Sequence, residues 1–249
     1  MTIQAVLFDL GNTLWHIPEP PPPEQIRRAT VGRILGLLGS WGVEVEDRHR
    51  MIGRDIRLTI ADVEKRAYET DQVSPDYVAI ARNVANSKGL DIGDDRAEEL
   101  WHTWNLGGDF FGRRLYDDTL ETLETLRLRG YRLGCVTNRA FGGPAFVDEV
   151  QQLGLAPYFE SLAVSCEVGY MKPHKFLFEH ALDELGVTGA QTLHVGDSLV
   201  ADVQGAQALG MTAVWRIPRK RFDEPSGIIP DYTINQLREL LALPLLAGE

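Results

Sequence analysis

Side chains able to do chemistry sit at the ends of four short runs in this 249-residue chain. Ala5-Val6-Leu7-Phe8 is apolar and closes on Asp9, after which Gly11-Asn12-Thr13 breaks the pattern. A carboxylate delivered by a strand to the edge of a sheet can serve as a nucleophile, a metal ligand, or both. Leu133-Gly134-Cys135-Val136 leads to a hydroxyl and an amide, Thr137 and Asn138. Val168-Gly169-Tyr170-Met171-Lys172-Pro173 sets one lysine just ahead of a helix start, where proline is tolerated. Thr192-Leu193-His194-Val195 runs into the Gly196-Asp197 turn, and a second acid follows at Asp202. Taken singly, each has a structural explanation, since Asp and Thr at strand ends are common turn formers. Their weight comes from occurring together and in this order.

The elements that must hold these residues are legible in the spacing. Trp15 to Pro23 carries Pro18 and the run Pro20 to Pro23, so it reads as an extended linker leaving the core. From Glu24 to about Gly112 the pattern is helical, with candidate helices over Ile26–Leu38, Asp47–Tyr68, Pro75–Ser87 and Asp94–Asn105. Strand–helix alternation then resumes: helix Asp118–Arg129, strand Tyr131–Thr137, helix Pro144–Leu153, strand Leu162–Ser165, helix Lys175–Leu185, strand Thr192–Val195. Helix Ala201–Leu209, strand Thr212–Trp215, a last strand near Tyr232–Ile234 and helix Gln236–Leu241 complete it. The expected fold is α/β, a doubly wound parallel sheet interrupted after its first strand by a helical insert. Such sheets bind ligands at their carboxyl edge, where Asp9 and Asp197 fall. The expected division is a core of residues 1–16 and 113–249 and an insert of residues 17–112.

Nucleophile, hydroxyl, lysine and acidic pair, in this order from Val6 to about Leu241, resemble the haloacid dehalogenase superfamily of hydrolases. The resemblance implies a Rossmann-like core and makes the insert a helical cap of the first type. The segment between Thr137 and Lys172 is already used by a helix and a strand, leaving no room for a second cap. By the same resemblance Asp9 attacks phosphorus in a small phosphorylated metabolite and becomes an aspartyl phosphate. Phosphoryl transfer spreads negative charge over the moving oxygens, so catalysis is mostly positioning and charge stabilisation. Mg²⁺, a hard oxygen-seeking ion, is implied at Asp9, the Gly11 carbonyl and Asp197, with Asp202 a further ligand or an orienting residue. Lys172 neutralises Asp9 and holds a phosphate oxygen, while Thr137, Asn138 and the backbone near Gly11 bind the remaining oxygens.

One position departs from the family pattern. Phosphatases of this superfamily usually carry a second aspartate two residues after the nucleophile, as general acid and base; here that residue is Gly11. A positioned acid or base contributes about 10²–10⁴-fold. His16 in the linker and His102 in the insert are the candidate replacements. The alternatives are a weakly active or inactive relative that binds a phosphorylated ligand or a partner, and a phosphonate or haloacid hydrolase. Phosphonate cleavage requires an insert lysine able to form a Schiff base, and the insert offers only Lys65 and Lys88. Dehalogenases replace the metal-binding acids that Asp197 and Asp202 retain. Trp101 and Trp104 read as glue between insert helices ahead of substrate contact, and Trp15 and Tyr170 lie near motif residues.

Composition bounds the rest. Apolar residues make up 44% and charged residues 24%, an ordinary globular balance. The net charge of −11 argues against nucleic acid or an anionic membrane as the partner. Two cysteines, Cys135 and Cys166, do not make a disulfide framework. No run reaches the length of a membrane span, and no leader precedes the first strand. The expectation is a cytoplasmic monomer or homodimer.

Overall fold

Strand β1 (Ala5–Phe8) is apolar at every position and buried on both faces, as a central parallel strand must be. It is the third strand of a six-stranded sheet in the computed structural model, which describes residues 2–218 and 227–246. The elements that follow in the chain are β2 (Trp15–His16), α1 (Pro23–Ser40), α2 (Ile52–Glu69), α3 (Tyr77–Ser87), α4 (Asp94–Trp104) and α5 (Gly107–Phe110). Then come β3 (Arg114–Leu115), α6 (Thr119–Leu128), β4 (Arg132–Thr137), α7 (Gly143–Gln152), β5 (Ser161–Val164) and α8 (Ser165–Val168). The chain continues with α9 (Lys175–Leu185), β6 (Thr192–Gly196), α10 (Gly205–Gln207), β7 (Thr212–Arg216) and β8 (Tyr232–Ile234).

The sheet order is β5-β4-β1-β6-β7-β8 and every pairing in it is parallel. Alternation with a period of two gives each face its own core. Val6, Phe8, Leu133, Cys135, Leu193 and Val195 pack with Leu123 and Leu126 of α6 and with Phe146 and Val150 of α7. Ala5, Leu7, Val136 and Ala213 pack on the other side with Leu177, Phe178, Ala181 and Leu185 of α9. Burying a side chain of this size contributes about 1.5–3 kcal/mol, so these two cores hold the sheet centre between its flanking helices. Gly134 interrupts β4 for a packing reason: a Cβ there would lie 2.8 Å from Leu7 and 3.2 Å from Leu185.

The chain divides into two compact units, Met1–His16 with Arg114–Glu249, and Ile17–Arg113. Within the second, Pro23 opens α1 at a position where the missing N–H costs nothing. Asp76 caps α3 by accepting from the Ala79 N–H at 2.9 Å. Tyr77, Trp101 and Trp104 form a continuous stack at centroid spacings of 5.4 and 5.3 Å, and the Trp104 indole donates to the Gly53 carbonyl at 2.9 Å. The tryptophans thus join α2, α3 and α4.

Four local expectations differ from the structure. Trp15–His16 is a strand, β2, paired antiparallel with β3 so that His16 faces Arg114; that partner is too distant in sequence for local spacing to reveal. The segment read as helix Ala201–Leu209 is a π-helical turn, Leu199–Gln204, running into α10. Gln236–Leu241 is a 3₁₀ helix over Leu237–Ala242. Helical periodicity locates such segments without distinguishing a four-residue hydrogen-bond step from a three- or five-residue one. The same holds for Asp47–Met51, a 3₁₀ turn ahead of α2.

Candidate active site

Phe8 of β1 lies opposite Val195 of β6, and the Asp9 N–H donates to the Val195 carbonyl at 2.9 Å. The two strands therefore release Asp9 and Asp197 side by side at the carboxyl edge of the sheet. On the other side of β1, β4 brings Thr137 to the same edge, with Cys135 in register with Phe8. One carboxylate oxygen from each of Asp9, Asp197 and Asp202 lies within 4.8 Å of the other two.

Lys172 is the buried hub. Its ammonium donates to Asp9 Oδ1 at 2.7 Å, to Asp202 Oδ1 at 2.8 Å and to the Val136 carbonyl at 2.7 Å. An ammonium has three donors, and all three are engaged. Burial alone would lower the Lys172 pKa, but Asp202 and Asp9 hold it above the ordinary lysine value. Asn138 fixes the backbone beneath it: its Oδ1 accepts from the Lys172 N–H at 2.7 Å and its Nδ2 donates to the Lys172 carbonyl at 3.1 Å.

The three carboxylates differ in how many of their oxygens are occupied. Asp202 accepts from Lys172 and from His194 Nε2 (2.9 Å) at Oδ1, and from the Ser198 N–H (3.0 Å) at Oδ2. Burial pushes Asp202 up, but Lys172 and His194 outweigh it and hold the group well below the usual carboxylate range. Gly196 is required for this placement, because a Cβ there would sit 2.1 Å from Asp202 Cγ. Asp9 accepts from Lys172 and, at 3.2 Å, from the Thr13 hydroxyl. Its pKa is raised by burial, which the Lys172 charge only partly offsets. Asp197 accepts from Asn12 Nδ2 at 3.1 Å; burial and the charges of Asp9 and Asp202 push it up to about 7. Asn12 sits at φ +54°, a conformation asparagine tolerates better than most residues. Its carbonyl accepts from Arg216, whose guanidinium stacks 3.7 Å over Tyr116.

Asp9, Asp197 and Asp202 converge beside one lysine and one histidine, and burial, with the neighbouring carboxylates adding to it, raises the pKa values of Asp9 and Asp197. An all-oxygen donor set with excess negative charge fits a hard divalent cation. Asp9 and Asp197 keep the most open acceptor positions. Thr137 is buried at 3% exposure. The Gly11 position would admit a side chain: a Cβ there meets only Trp15 Nε1, at 3.9 Å. His16 stacks on Tyr116 at 4.4 Å, and His102 is exposed on α4, 3.8 Å from Glu98.

Sequence reasoning did not single out His194, Thr13, Asn12 or Arg139. His194 stands in an apolar strand pattern, and that anomaly was the available signal. Arg139 donates to Glu149 at 2.7 Å and lies 4.5 Å over the Phe146 ring, bracing the loop after Thr137.

The sequence pattern of the haloacid dehalogenase-like hydrolases matches residues 3–210. The chain is 36% identical to the glyceraldehyde 3-phosphate phosphatase of Methanopyrus kandleri over 96% of both proteins. It is 34% identical to that of Methanocaldococcus jannaschii over 51% of this chain and 55% of the relative. Among solved structures, a phosphatase from Thermococcus onnurineus is similar at 27% identity and a TM-score of 0.59, with 99% of each chain covered. A 2-haloacid dehalogenase from Pseudomonas syringae superposes with a TM-score of 0.66 at 24% identity over 99% of each chain, a likeness of fold.

Proposed function

The chain belongs to the haloacid dehalogenase-like hydrolase family, and from that premise we propose that it hydrolyses small phosphate monoesters with Asp9 as nucleophile and Mg²⁺ as cofactor. The observation that carries this reading is the buried Asp9–Lys172 contact at 2.7 Å, set beside Asp197 at the carboxyl edge of the sheet. Asp9 attacks phosphorus, the bond to the ester oxygen breaks, and the leaving alkoxide or phenoxide departs with its electron pair. Water then cleaves the aspartyl phosphate, releasing inorganic phosphate and restoring the carboxylate. Asp9, the Gly11 carbonyl and Asp197 are the proposed metal ligands, and Mg²⁺ there offsets the charge of the phosphoryl group.

Each remaining residue takes the role its contacts support. Lys172 holds Asp9 in position and, once an anion arrives, can transfer one donor from a carboxylate to a phosphate oxygen. Thr137 donates its hydroxyl to another of those oxygens. Asp202, already accepting three hydrogen bonds, orients Lys172 in preference to binding metal. Asn138 is assigned to the Lys172 backbone, so its contribution to phosphate binding is indirect. The insert is proposed to be the cap that selects the substrate, and the setting the cytoplasm.

The binding-protein reading rests on one observation, the absence of a carboxyl side chain at Gly11. The phosphonatase route lacks its lysine: Lys65 is exposed within 4.0 Å of Glu69, and Lys88 pairs with Asp55 at 2.6 Å. The test is turnover of an aryl phosphate and a panel of phosphorylated metabolites with and without Mg²⁺. Asp9→Asn and Asp9→Ala should each abolish turnover while leaving the melting curve intact. Near-wild-type activity in either variant would refute Asp9 as nucleophile, and no turnover of any ester would favour the binding protein.

A further inference from the structure

His194 is polar where its strand asks for an apolar residue. In β6 the neighbours Leu193 and Val195 face one core, and His194 points to the other, edge-on to Phe178 at 5.1 Å. The ring is 1% exposed. A buried imidazole is costly unless its polar atoms are hydrogen-bonded, and only one of them is. Nε2 lies 2.9 Å from Asp202 Oδ1, while Nδ1 has no partner among the described residues. Asp202 also accepts from Lys172 and from the Ser198 N–H, so it is the acceptor of this contact and Nε2–H the donor. Asp202 Oδ1 thus receives two donors from separate elements, Lys172 from the turn before α9 and His194 from the sheet.

We propose that His194 is a positioning residue for the reaction: it fixes the rotation of the Asp202 carboxylate, and Asp202 in turn aims the Lys172 ammonium at Asp9. Asp202 is already pinned at Oδ2 by the Ser198 N–H. Without His194 the remaining contact at Oδ1 is the Lys172 ammonium itself, so nothing outside the ion pair sets the rotation of the carboxylate about its Ser198 contact; His194 supplies that restraint. Turning Asp202 would release one of the three Lys172 donors and let the ammonium drift from the nucleophile. The inference deepens the proposed hydrolase reading and rests on it for its kinetic part only.

Two substitutions separate positioning from packing. His194→Phe keeps a planar aromatic ring, somewhat larger, and removes the donor. His194→Gln can place an amide N–H near the site of Nε2. The expected result is a fall in kcat of about ten- to a hundredfold for His194→Phe, the range found for partners that orient site residues, with KM little changed. His194→Gln should recover most of that loss, and the His194→Phe melting temperature should not fall, since an apolar ring suits that face. The second readout needs no turnover. The Lys172 ammonium, locked by three acceptors, should give a resolved ¹H–¹⁵N NMR signal in wild type and His194→Gln, and a broadened one in His194→Phe. A His194→Phe variant with wild-type kcat and a sharp Lys172 signal would overturn the proposal. So would equal kcat losses in both variants that track equal losses of melting temperature. If wild type turns over no ester, the hydrolase reading fails and the NMR comparison still decides whether His194 positions Lys172.

Discussion

Gly11 leaves the loop after Asp9, the proposed nucleophile, without a carboxyl group that could protonate a leaving oxygen. Losing a general acid penalises a poor leaving group far more than a good one, because a stabilised anion departs without a proton. A steep dependence of rate on leaving-group pKa is therefore expected, with aryl or acyl phosphates cleaved much faster than alkyl phosphates and the aspartyl phosphate accumulating as a burst. Gly11→Asp should flatten that dependence, since a Cβ there meets nothing closer than 3.9 Å. A flat dependence in the unmodified protein would direct attention to His16 and His102. Asp197 carries a second prediction. Its folded pKa of about 7 stands above its ordinary 3.8, so between those values the native state binds more protons than the unfolded chain. The contribution of Asp197 to the stability of the metal-free protein should thus be fully present below about pH 4 and be lost as pH rises through about 7. Melting curves across pH 5–8 should show the decline in wild type and a weaker one in Asp197→Asn. Mg²⁺ competes with that proton, so its calorimetric affinity should increase over the same window and drop sharply in Asp197→Asn.

At the scale of elements, the site depends on how closely β6 lets Asp202 approach. Gly196→Ala would place a methyl 2.1 Å from Asp202 Cγ, and relieving such a clash costs about 1–3 kcal/mol. The expected outcome is a stable fold with the Lys172–Asp202 contact displaced and kcat reduced more than melting temperature. Unchanged kcat would show that Asp202 has no part in aiming Lys172. The π-helical turn after Ser198 serves the same placement, with the Asp202 and Val203 N–H groups both donating to the Ser198 carbonyl. In the other unit the elements are held by stacking, so Trp101→Ala should cost about 3–5 kcal/mol by cavity formation. Chemical denaturation is the measurement.

At the scale of the whole molecule, the two connections of the insert are paired with each other. Trp15 faces Leu115 and His16 faces Arg114 in β2 and β3, so the chain leaves and re-enters the core unit at adjacent residues. Replacing Ile17–Arg113 by a short Gly-containing turn should give a core that melts cooperatively and retains Asp197-dependent Mg²⁺ binding, with substrate discrimination lost. A core that fails to fold would mean its stability depends on the insert. No helix among the described residues is long and apolar enough to cross a membrane.

The sequence alone determined the order of the six strands of the main sheet, the helices between them and the residues that end those strands. Each of these is written in local periodicity and in strand-terminal residue type, as Asp9, Thr137 and Asp197 illustrate. What only the tertiary structure decided is which of these residues touch. That Lys172 engages Asp9, Asp202 and Val136 together, that Asn138 turns to the Lys172 backbone, and that His194 backs Asp202 depend on partners brought together from separate strands and turns. Local spacing carries no record of such contacts, because the sheet order that creates them is set by packing on both faces of β1.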